Sequence, residues 1–306
     1  MPLVPTHQIV HSAAAAQSGI GAFNVIHLET AEALVSAAER AGHPVILQIS
    51  ENCVRYHGAL EPIGQATLAL ARASNAPVAV HLDHAEDENL AMLAVDLGFG
   101  SVMFDGAKLD YEQNVDATVR IVEYAHARDA SVEAELGEIG GKDGAHAPGV
   151  RTDPDEAHRF VADTGVDSLA VAVGSSHAMK ERVATLDLEL IARLHAAVHV
   201  PLVLHGSSGV ADDQLIAAIV AGMTKINVST HLNGFFTAAV RAALDADSQL
   251  VDSRKYIAPA RDALSAEAQR LIALFASAST RANATANASA RGGDAAGGVP
   301  GGRLHP

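Results

Sequence analysis

The sequence predicts an α/β protein in which eight parallel strands, each followed by a helix, close into a (β/α)8 TIM barrel. Three observations predict this fold. Eight short apolar runs occur along the chain, Ala-rich stretches with helical spacing separate them, and the 306 residues exceed the ~250 that one such barrel needs. An open doubly wound sheet has the same local alternation, and the number of runs favours the barrel over it.

The eight apolar runs are the predicted strands, because nearly continuous apolar character is typical of strands covered on both faces. They are AFNV (22–25), PVILQIS (44–50), PVAVHLD (77–83), SVMFDG (101–106), SVEAEL (131–136), DSLAVAV (167–173), VPLVLHG (200–206) and TKINVS (224–229). Helical stretches lie between them. One covers 29–41 and ends at Gly42, one begins near Asp153 with the spacing of a capping box, and two more cover 187–198 and 211–221.

The C-terminal part is predicted to extend the barrel and then to lose structure. Two further helices are expected at about 231–246 and 259–277. After Ser279 the composition changes to Ala, Asn, Gly and Arg, which cannot bury a core. We therefore expect a barrel domain over 1–278 and a low-complexity, disordered tail over 279–306.

Composition excludes several classes of partner. With 21 Lys and Arg against 36 Asp and Glu, the formal charge is −15, so nucleic acid is not an expected partner. No apolar run reaches the ~18 residues of a membrane span, so no membrane is expected either. Cys53 is the single cysteine and cannot form an internal disulfide, which favours a cytoplasmic location.

Three histidines are predicted to converge at one mouth of the barrel. His84, His177 and His205 stand at or after the ends of the third, sixth and seventh predicted strands, and the chemistry of such barrels sits at the C-terminal ends of strands. Three imidazoles leave one position open on a tetrahedral ion, as in a catalytic zinc site. The alternative is three unrelated loop histidines that bond to backbone carbonyls.

Carboxylates accompany these histidines. Asp83 could move a proton to or from a substrate oxygen, or could instead cap the next helix. Glu133 and Glu135 are two apart on one predicted strand and share a face. Inside a barrel they require a cation or hydrogen-bond donors, and Glu135, nearer the mouth, is the stronger metal-ligand candidate. His81 shares the face of Asp83 and is interpreted as an orienting group.

Two segments are suited to binding an anion. HGSSG (205–209) and NVST (227–230) follow the seventh and eighth predicted strands, where barrels place phosphate sites. Small hydroxyls and backbone N–H groups at a helix start accept phosphate. The alternative interpretation is that both segments are simply turns.

Taken in order, these motifs resemble the class II, zinc-dependent ketose-bisphosphate aldolases, which include fructose-1,6-bisphosphate and tagatose-1,6-bisphosphate aldolases. The resemblance covers about residues 5–275. It rests on AFNVIHLET (22–30), HLDHA (81–85), SVMFDGAKLDYEQN (101–114), SVEAELG (131–137), AVAVGSSH (170–177), PLVLHGSSGV (201–210) and TKINVST (224–230).

The resemblance implies a role for each candidate residue. His84, His177 and His205 would hold the zinc ion, and Glu135 would contact it in an alternative position. Asp83 would be the acid/base group that handles the C4 hydroxyl. The dihydroxyacetone phosphate half would be bound by Gly206, Ser208, Asn227 and Thr230, with Asn24 and Ser50 near the substrate. Loops containing Gly174 and Gly206 would hold a monovalent cation, Na⁺ or K⁺.

The implied reaction is reversible cleavage of a ketose 1,6-bisphosphate, fructose 1,6-bisphosphate first, to dihydroxyacetone phosphate and an aldehyde such as glyceraldehyde 3-phosphate. It would proceed through a zinc-stabilised enediolate, in a homodimer or homotetramer. A Schiff-base aldolase would need a lysine, and none of the five lysines lies between 166 and 174 in the sixth predicted strand. Two other functional classes stay open, a zinc hydrolase and a non-catalytic sugar-phosphate binder on the same barrel.

The sequence departs from the family pattern at several positions. Ala178 replaces the usual glycine after the second zinc histidine, and HGSSG replaces the commoner HGGSG. The loop after the fifth predicted strand has no glutamate in its Gly-rich run. Asp143, in preference to Glu138, is therefore the candidate for the mobile base. Ser229 stands where one branch of the family has Asp, which keeps tagatose 1,6-bisphosphate and a deoxy-ketogluconate phosphate as alternative substrates.

Overall fold

A computed structural model describes residues 2–136, 151–177, 179 and 181–282 of the chain. Within them eight parallel strands pair in chain order, and the last pairs with the first. The strands are β1 (Ile20–Asn24), β2 (Val45–Ser50), β3 (Val78–Ala85), β4 (Ser101–Phe104), β5 (Ser131–Leu136), β6 (Ser168–Val171), β7 (Leu202–Leu204) and β8 (Met223–Val228). This confirms the predicted barrel and excludes the open sheet, because an open sheet leaves two unpaired edges.

Helices alternate with the strands, as the spacing predicts. In the described part of the chain they are α1 (Thr6–Ala15), α2 (Leu28–Ala41), α3 (Glu51–His57), α4 (Glu61–Ala73), α5 (Glu88–Leu97), α6 (Tyr111–His126), α7 (Pro154–Thr164), α8 (Leu188–Ala197), α9 (Asp212–Ala221), α10 (Thr230–Ala246) and α11 (Arg254–Ala276). The caps explain their boundaries. Asp153 accepts from two backbone N–H groups at the start of α7, and α2 ends at Gly42, which has a φ of 67°.

The two faces of the strands are buried in different surroundings. Outward-facing Leu47, Ile49 and Leu82 pack in the main apolar core, which lies between the sheet and the helices. Because side chains alternate along a strand, Gln48 and His81 point to the other face, and both are about 1% exposed. The barrel interior therefore contains buried polar side chains, which is where chemistry can be built.

Helix α1 has no counterpart among the predicted elements. Its buried Ile9, Val10 and Ala13 form a small core cluster with Ala22, Ile46 and other strand residues. The helix thus covers the end of the barrel opposite the predicted active site.

The C-terminal helices confirm the predicted extension, with one shift. Helix α11 begins five residues before the predicted start at 259, so Pro259 lies inside the helix and leaves one intrahelical hydrogen bond unmade. Residues 278–282 are also helical, past the expected start of the tail, and 283–306 lie outside the described residues. No described helix has the length and apolar character that crossing a bilayer requires.

Candidate active site

A cleft of about 260 Å³ opens at the C-terminal ends of the strands. Its lining residues are Asn24, Gln48, Ser50, Asn52, Asp83, His84, His177, His205, Gly206, Ser208, Asn227, Ser229 and Thr230. Every residue to which the resemblance gives a role is among them except Glu135 and Gly174. Asp143, the candidate for the proton-abstracting base, lies in the segment 137–150, outside the described residues.

The three predicted histidines meet in this cleft. The ring centroids are 4.6 Å apart for His84 and His205, 5.1 Å for His84 and His177, and 5.6 Å for His177 and His205. Each ring has a nitrogen within 4.8 Å of a nitrogen on the other two. The alternative of three unrelated loop histidines therefore does not describe this chain.

A local distortion of β3 aims His84. Neighbouring residues of a regular strand point to opposite faces, yet Asp83 and His84 both line the cleft. The pairing register with β4 shifts between Leu82 and Ala85, and His84 has a φ of 51°. Such a bulge re-aims a side chain, and here it turns two adjacent functional residues toward one space.

In His84 and His205, the ring nitrogen that faces away from the other histidine contacts a carboxylate oxygen. His84 Nδ1 lies 2.8 Å from Asp105 Oδ2, and His205 Nε2 lies 2.9 Å from Glu133 Oε1. Because a carboxylate only accepts, these contacts assign the protons to His84 Nδ1 and His205 Nε2. Asp105 was the missed residue of this group, and its signal is a carboxylate directly after a buried strand.

The facing nitrogens of these two rings therefore present lone pairs. His84 Nε2 lies 2.9 Å from His205 Nδ1, so the two lone pairs are close enough to be directed at one cation. Carboxylate-oriented imidazoles are the usual support of a metal centre, and three imidazoles are a zinc donor set. On this donor chemistry the residues present fit a zinc ion.

Burial favours the metal-binding form of the imidazoles. Desolvation, followed by the neighbouring His84, lowers the pKa of His205 well below its ordinary value. Desolvation and then the Lys225 ammonium lower the pKa of His81 in the same direction. Both rings are neutral near pH 7, the state in which an imidazole nitrogen can bind a metal.

Asp83 is held by side-chain amides and does not cap a helix. Gln48 Nε2 donates to its Oδ2 and Asn227 Nδ2 to its Oδ1, both at 3.4 Å. The N-cap of α5 is Asp87, which accepts from Asn89 N at 2.8 Å. The structure thus removes the helix-cap interpretation and leaves the carboxylate facing the cleft.

Two buried amide oxygens in the cleft have no hydrogen-bond partner among the described residues. They are Gln48 Oε1 and Asn227 Oδ1, and Gln48 meanwhile donates to Asn24 Oδ1 at 2.8 Å. An unsatisfied buried acceptor costs about 1–3 kcal/mol, so both oxygens are suited to accept from a polar ligand in the cleft. Gln48 was missed at the sequence level, although a polar residue inside an apolar strand was its signal.

The loops after β7 and β8 join to form one wall. Gly206 has a φ of 69°, and a Cβ there would lie 2.6 Å from the backbone of Ser176. Ser208 Oγ accepts from Ser229 N at 3.4 Å and from His231 N at 3.1 Å. The N-terminus of α10 is thereby fixed at the cleft, where a helix offers N–H groups to an anion.

The remaining predicted residues stand close by. Ser50 Oγ accepts from Cys53 N at 3.2 Å and caps α3. Glu135 Oε2 lies 3.6 Å from His84 Nδ1, so it is beside the histidine cluster. Gly174 has a φ of 117°, and a Cβ there would lie 2.6 Å from the carbonyl oxygen of Thr185.

Comparison with known proteins connects this site to a family. The family model described as class-II fructose-bisphosphate aldolase matches residues 4–280. The fructose-bisphosphate aldolase of Geobacillus stearothermophilus is 40% identical over 270 residues, covering 87% of this chain and 94% of that protein. The one from Staphylococcus epidermidis is 38% identical over 268 residues, covering 86% and 94%.

A solved structure agrees with these matches. The YdjI aldolase from Escherichia coli K12 superposes with a TM-score of 0.78 and 32% sequence identity, covering 89% of this chain and 97% of that one. The resemblance seen in the motifs is thus confirmed across nearly the whole barrel. The chain belongs to the class II fructose-bisphosphate aldolase family, whose members are lyases that typically depend on zinc.

Proposed function

We propose that this protein cleaves a ketose 1,6-bisphosphate, fructose 1,6-bisphosphate first, reversibly to dihydroxyacetone phosphate and an aldehyde such as glyceraldehyde 3-phosphate. One observation carries the proposal. Three converging imidazoles, the Asp83 carboxylate and the loops after β7 and β8 line the same cleft. The matches to fructose-bisphosphate aldolases support it.

In this proposal His84, His177 and His205 hold one Zn²⁺ ion per subunit, and Glu135 is an alternative ligand. When bound, the ion polarises the C2 carbonyl and stabilises the negative charge that develops on its oxygen. Lys225, the lysine inside the barrel, is paired with Glu133 at 2.8 Å and does not line the cleft. A Schiff base at that lysine is therefore not part of the mechanism.

Asp83 takes the proton from the C4 hydroxyl. As that O–H bond breaks, C4 becomes the carbonyl carbon of the aldehyde and the C3–C4 bond breaks, so its electron pair passes to the C2–C3 enediolate. The amides of Gln48 and Asn227 orient the two carboxylate oxygens. In the direction of synthesis the same carboxyl returns the proton.

The phosphate of the dihydroxyacetone half binds at the wall formed by the loops after β7 and β8. Its proposed ligands are Gly206, Ser208, Asn227 and Thr230, with Asn24 and Ser50 near the sugar. Because the chain is acidic overall, attraction for this anion comes from local N–H groups and the N-terminus of α10. The loops of Gly174 and Gly206 are the proposed site of a Na⁺ or K⁺ ion.

Asp143 remains our candidate for the group that exchanges the C3 proton of dihydroxyacetone phosphate. It lies outside the described residues, and its support is its position in the Gly-rich run after β5. Asp143→Ala should slow tritium exchange from that substrate at least ~10²-fold while zinc content is unchanged. Glu138→Ala is the matched control, and exchange at the parent rate in Asp143→Ala would place the base elsewhere.

The test of function measures products and metal together. Purified protein with fructose 1,6-bisphosphate should release two triose phosphates, a chelator should abolish release, and Zn²⁺ or Co²⁺ should restore it. Borohydride with substrate should leave the enzyme active. His177→Ala should lose activity and zinc, whereas His199→Ala, an exposed histidine away from the cleft, should keep both.

Other outcomes identify the other functions. Release of inorganic phosphate would indicate a zinc hydrolase, and zinc binding without turnover would indicate a sugar-phosphate binder. Comparing kcat/KM for fructose 1,6-bisphosphate, tagatose 1,6-bisphosphate and a deoxy-ketogluconate phosphate decides the sugar. We also propose a homodimer or homotetramer in the cytoplasm, which sedimentation and cell fractionation test.

A further inference from the structure

The ammonium group of Lys225 is buried inside the barrel, and the proposed reaction gives it no role. Lys225 lies on β8 and is 1% exposed. Its Nζ lies 2.8 Å from Glu133 Oε2 and 3.5 Å from His81 Nε2. Removing an ammonium from water costs several kcal/mol, and apolar residues of similar volume often stabilise a core as well. The charge therefore calls for an explanation beyond packing.

Glu133 connects this ammonium to the histidine cluster. One carboxylate oxygen, Oε2, accepts from Lys225 Nζ, while the other, Oε1, accepts from His205 Nε2 at 2.9 Å. Lys225 and Glu133 lie on β8 and β5, and His205 directly follows β7. Because each oxygen has its own donor from a different part of the barrel, Glu133 cannot turn without breaking one of the two contacts.

We propose that Lys225 is a positioning residue for the metal centre: by fixing Glu133, it fixes the ring of His205 with Nε2 as the donor and Nδ1 facing His84. The inference rests on the proposed function, in which these histidines bind zinc. The geometry that supports it is the 2.9 Å distance from His205 Nδ1 to His84 Nε2. If the His205 ring rotated away from this position, its Nδ1 would no longer face His84 and one of the three proposed nitrogen ligands would be lost.

The second contact of Lys225 provides a control. Since an ammonium only donates, His81 Nε2 accepts, and His81 Nδ1 donates to Ser101 Oγ at 2.7 Å. Ser101 then donates to Thr6 Oγ1 of α1 at 2.8 Å. This branch runs away from the histidine cluster, so breaking it at Ser101 disturbs the buried network without changing the contact between Glu133 and His205.

The experiment measures zinc affinity by competition with a chelator, without substrate. Lys225→Met, which keeps the length of the side chain and removes the charge, should weaken zinc binding about 10–100-fold, the usual effect of losing a group that orients a ligand. Glu133→Gln should weaken it similarly, and Ser101→Ala should leave it unchanged. The double variant Lys225→Met/Glu133→Gln should bind zinc no more weakly than whichever single variant has the lower zinc affinity, because Lys225 acts through Glu133.

A spectroscopic readout separates positioning from general stability. With Co²⁺ in place of zinc, the visible absorption bands should shift in Lys225→Met and stay unchanged in Ser101→Ala. Three outcomes would overturn the inference. They are parental zinc affinity in Lys225→Met, additive losses of affinity in the double variant, and a loss of affinity in Ser101→Ala equal to that in Lys225→Met. If Lys225→Met fails to fold, Glu133→Gln decides it, and parental affinity there overturns it.

The parent protein distinguishes the two proposals. If it binds no zinc, the proposed metal site is wrong and this inference falls with it. If the parent binds zinc and Lys225→Met binds it equally well, the inference alone is wrong and the proposed function stands.

Discussion

At the residue scale, the proposed active site depends on the adjacency of Asp83 and His84. Neighbouring residues of a strand ordinarily point to opposite sides, which would separate the proposed proton-transfer group from the proposed metal ligand. The bulge at the end of β3, with its positive φ at His84, lets both face the cleft. A non-glycine residue with positive φ carries a conformational cost, which here accompanies a functional arrangement.

Asp83→Asn should lower kcat by ~10²–10⁴, the usual contribution of a general acid/base group, because an amide cannot take the C4 proton. Zinc content should not change, since Asp83 is not one of the three proposed zinc ligands. Steady-state kinetics with metal analysis measures both. Near-normal kcat in this variant would mean that Asp83 is not the acid/base group.

Asp87→Ala is the matched control for that variant. Asp87 is four residues further on and caps α5 through Asn89 N. Its loss should cost about 1 kcal/mol of stability and leave kcat close to that of the parent. The pair separates a catalytic carboxylate from a capping one.

At the element scale, the loop after β7 depends on one backbone conformation. Gly206 precedes a short 3₁₀ turn, Ser207–Gly209, that carries Ser208, one of the proposed phosphate ligands. Its positive φ and its approach to the backbone of Ser176 leave no room for a Cβ. The loops after β6 and β7 can therefore approach each other only because this position is glycine.

Gly206→Ala should raise KM for the bisphosphate and lower the melting temperature, because strain at such a position costs of order 1–3 kcal/mol. Thermal unfolding and substrate kinetics give the two readouts. Gly234→Ala is the control. Gly234 lies in α10, and a Cβ at this position would meet no described atom within 4 Å, so alanine there should be neutral or stabilising by about 1 kcal/mol. Equal behaviour of the two variants would contradict the argument.

At the scale of the whole molecule, charged side chains join the last three described helices, α9, α10 and α11, near the wall formed by the loops after β7 and β8. Glu267 of α11 accepts from His231 Nε2 of α10 and from Arg270, both at 2.7 Å. Arg270 also pairs with Asp212 of α9. Since the backbone N–H of His231 donates to Ser208, this network connects the outer helices to the cleft.

The network predicts how stability depends on pH. Burial raises the pKa of Glu267, but hydrogen bonds from Arg270 and His231 outweigh burial and lower this pKa to about 2. In the unfolded chain a glutamate has a pKa of about 4.3, so between these values the unfolded state binds more protons. The contribution of Glu267 is present in full above about pH 4.3 and is lost as the pH falls toward 2.

Glu267→Gln should therefore lower the free energy of unfolding at pH 6, and the difference from the parent should shrink as the pH falls through 4 to 3. Denaturant titrations at these pH values measure it. Glu112→Gln, at an exposed position on α6, should show no such difference. A gap between parent and Glu267→Gln that stays constant with pH would contradict the assigned pKa.

The barrel, and the convergence of most candidate site residues on one cleft, could be predicted from the sequence. Strands buried on both faces leave continuous apolar runs, and closed parallel topology brings all their C-terminal ends to one rim. The positions of His84, His177 and His205 relative to those ends predict that all three lie at this rim, whereas the bulge that turns His84 into the cleft beside Asp83 is seen only in the structure. The loops after β7 and β8 follow by the same argument, because each is defined by the strand that it follows.

Only the tertiary structure decided which groups support that site. Lys225, Glu133 and His205 come from three separate parts of the barrel, and nothing local in the sequence pairs them. The sequence leaves two interpretations of Asp83, and the structure removes that of a helix cap because Asp87 caps α5. Gln48 and Asp105 have a signal in the sequence, but their contacts with Asp83 and His84 appear only after the strands have been placed in register. Apolar patterning is a local property, whereas contacts between polar side chains inside the barrel depend on its closure, its register and one bulge.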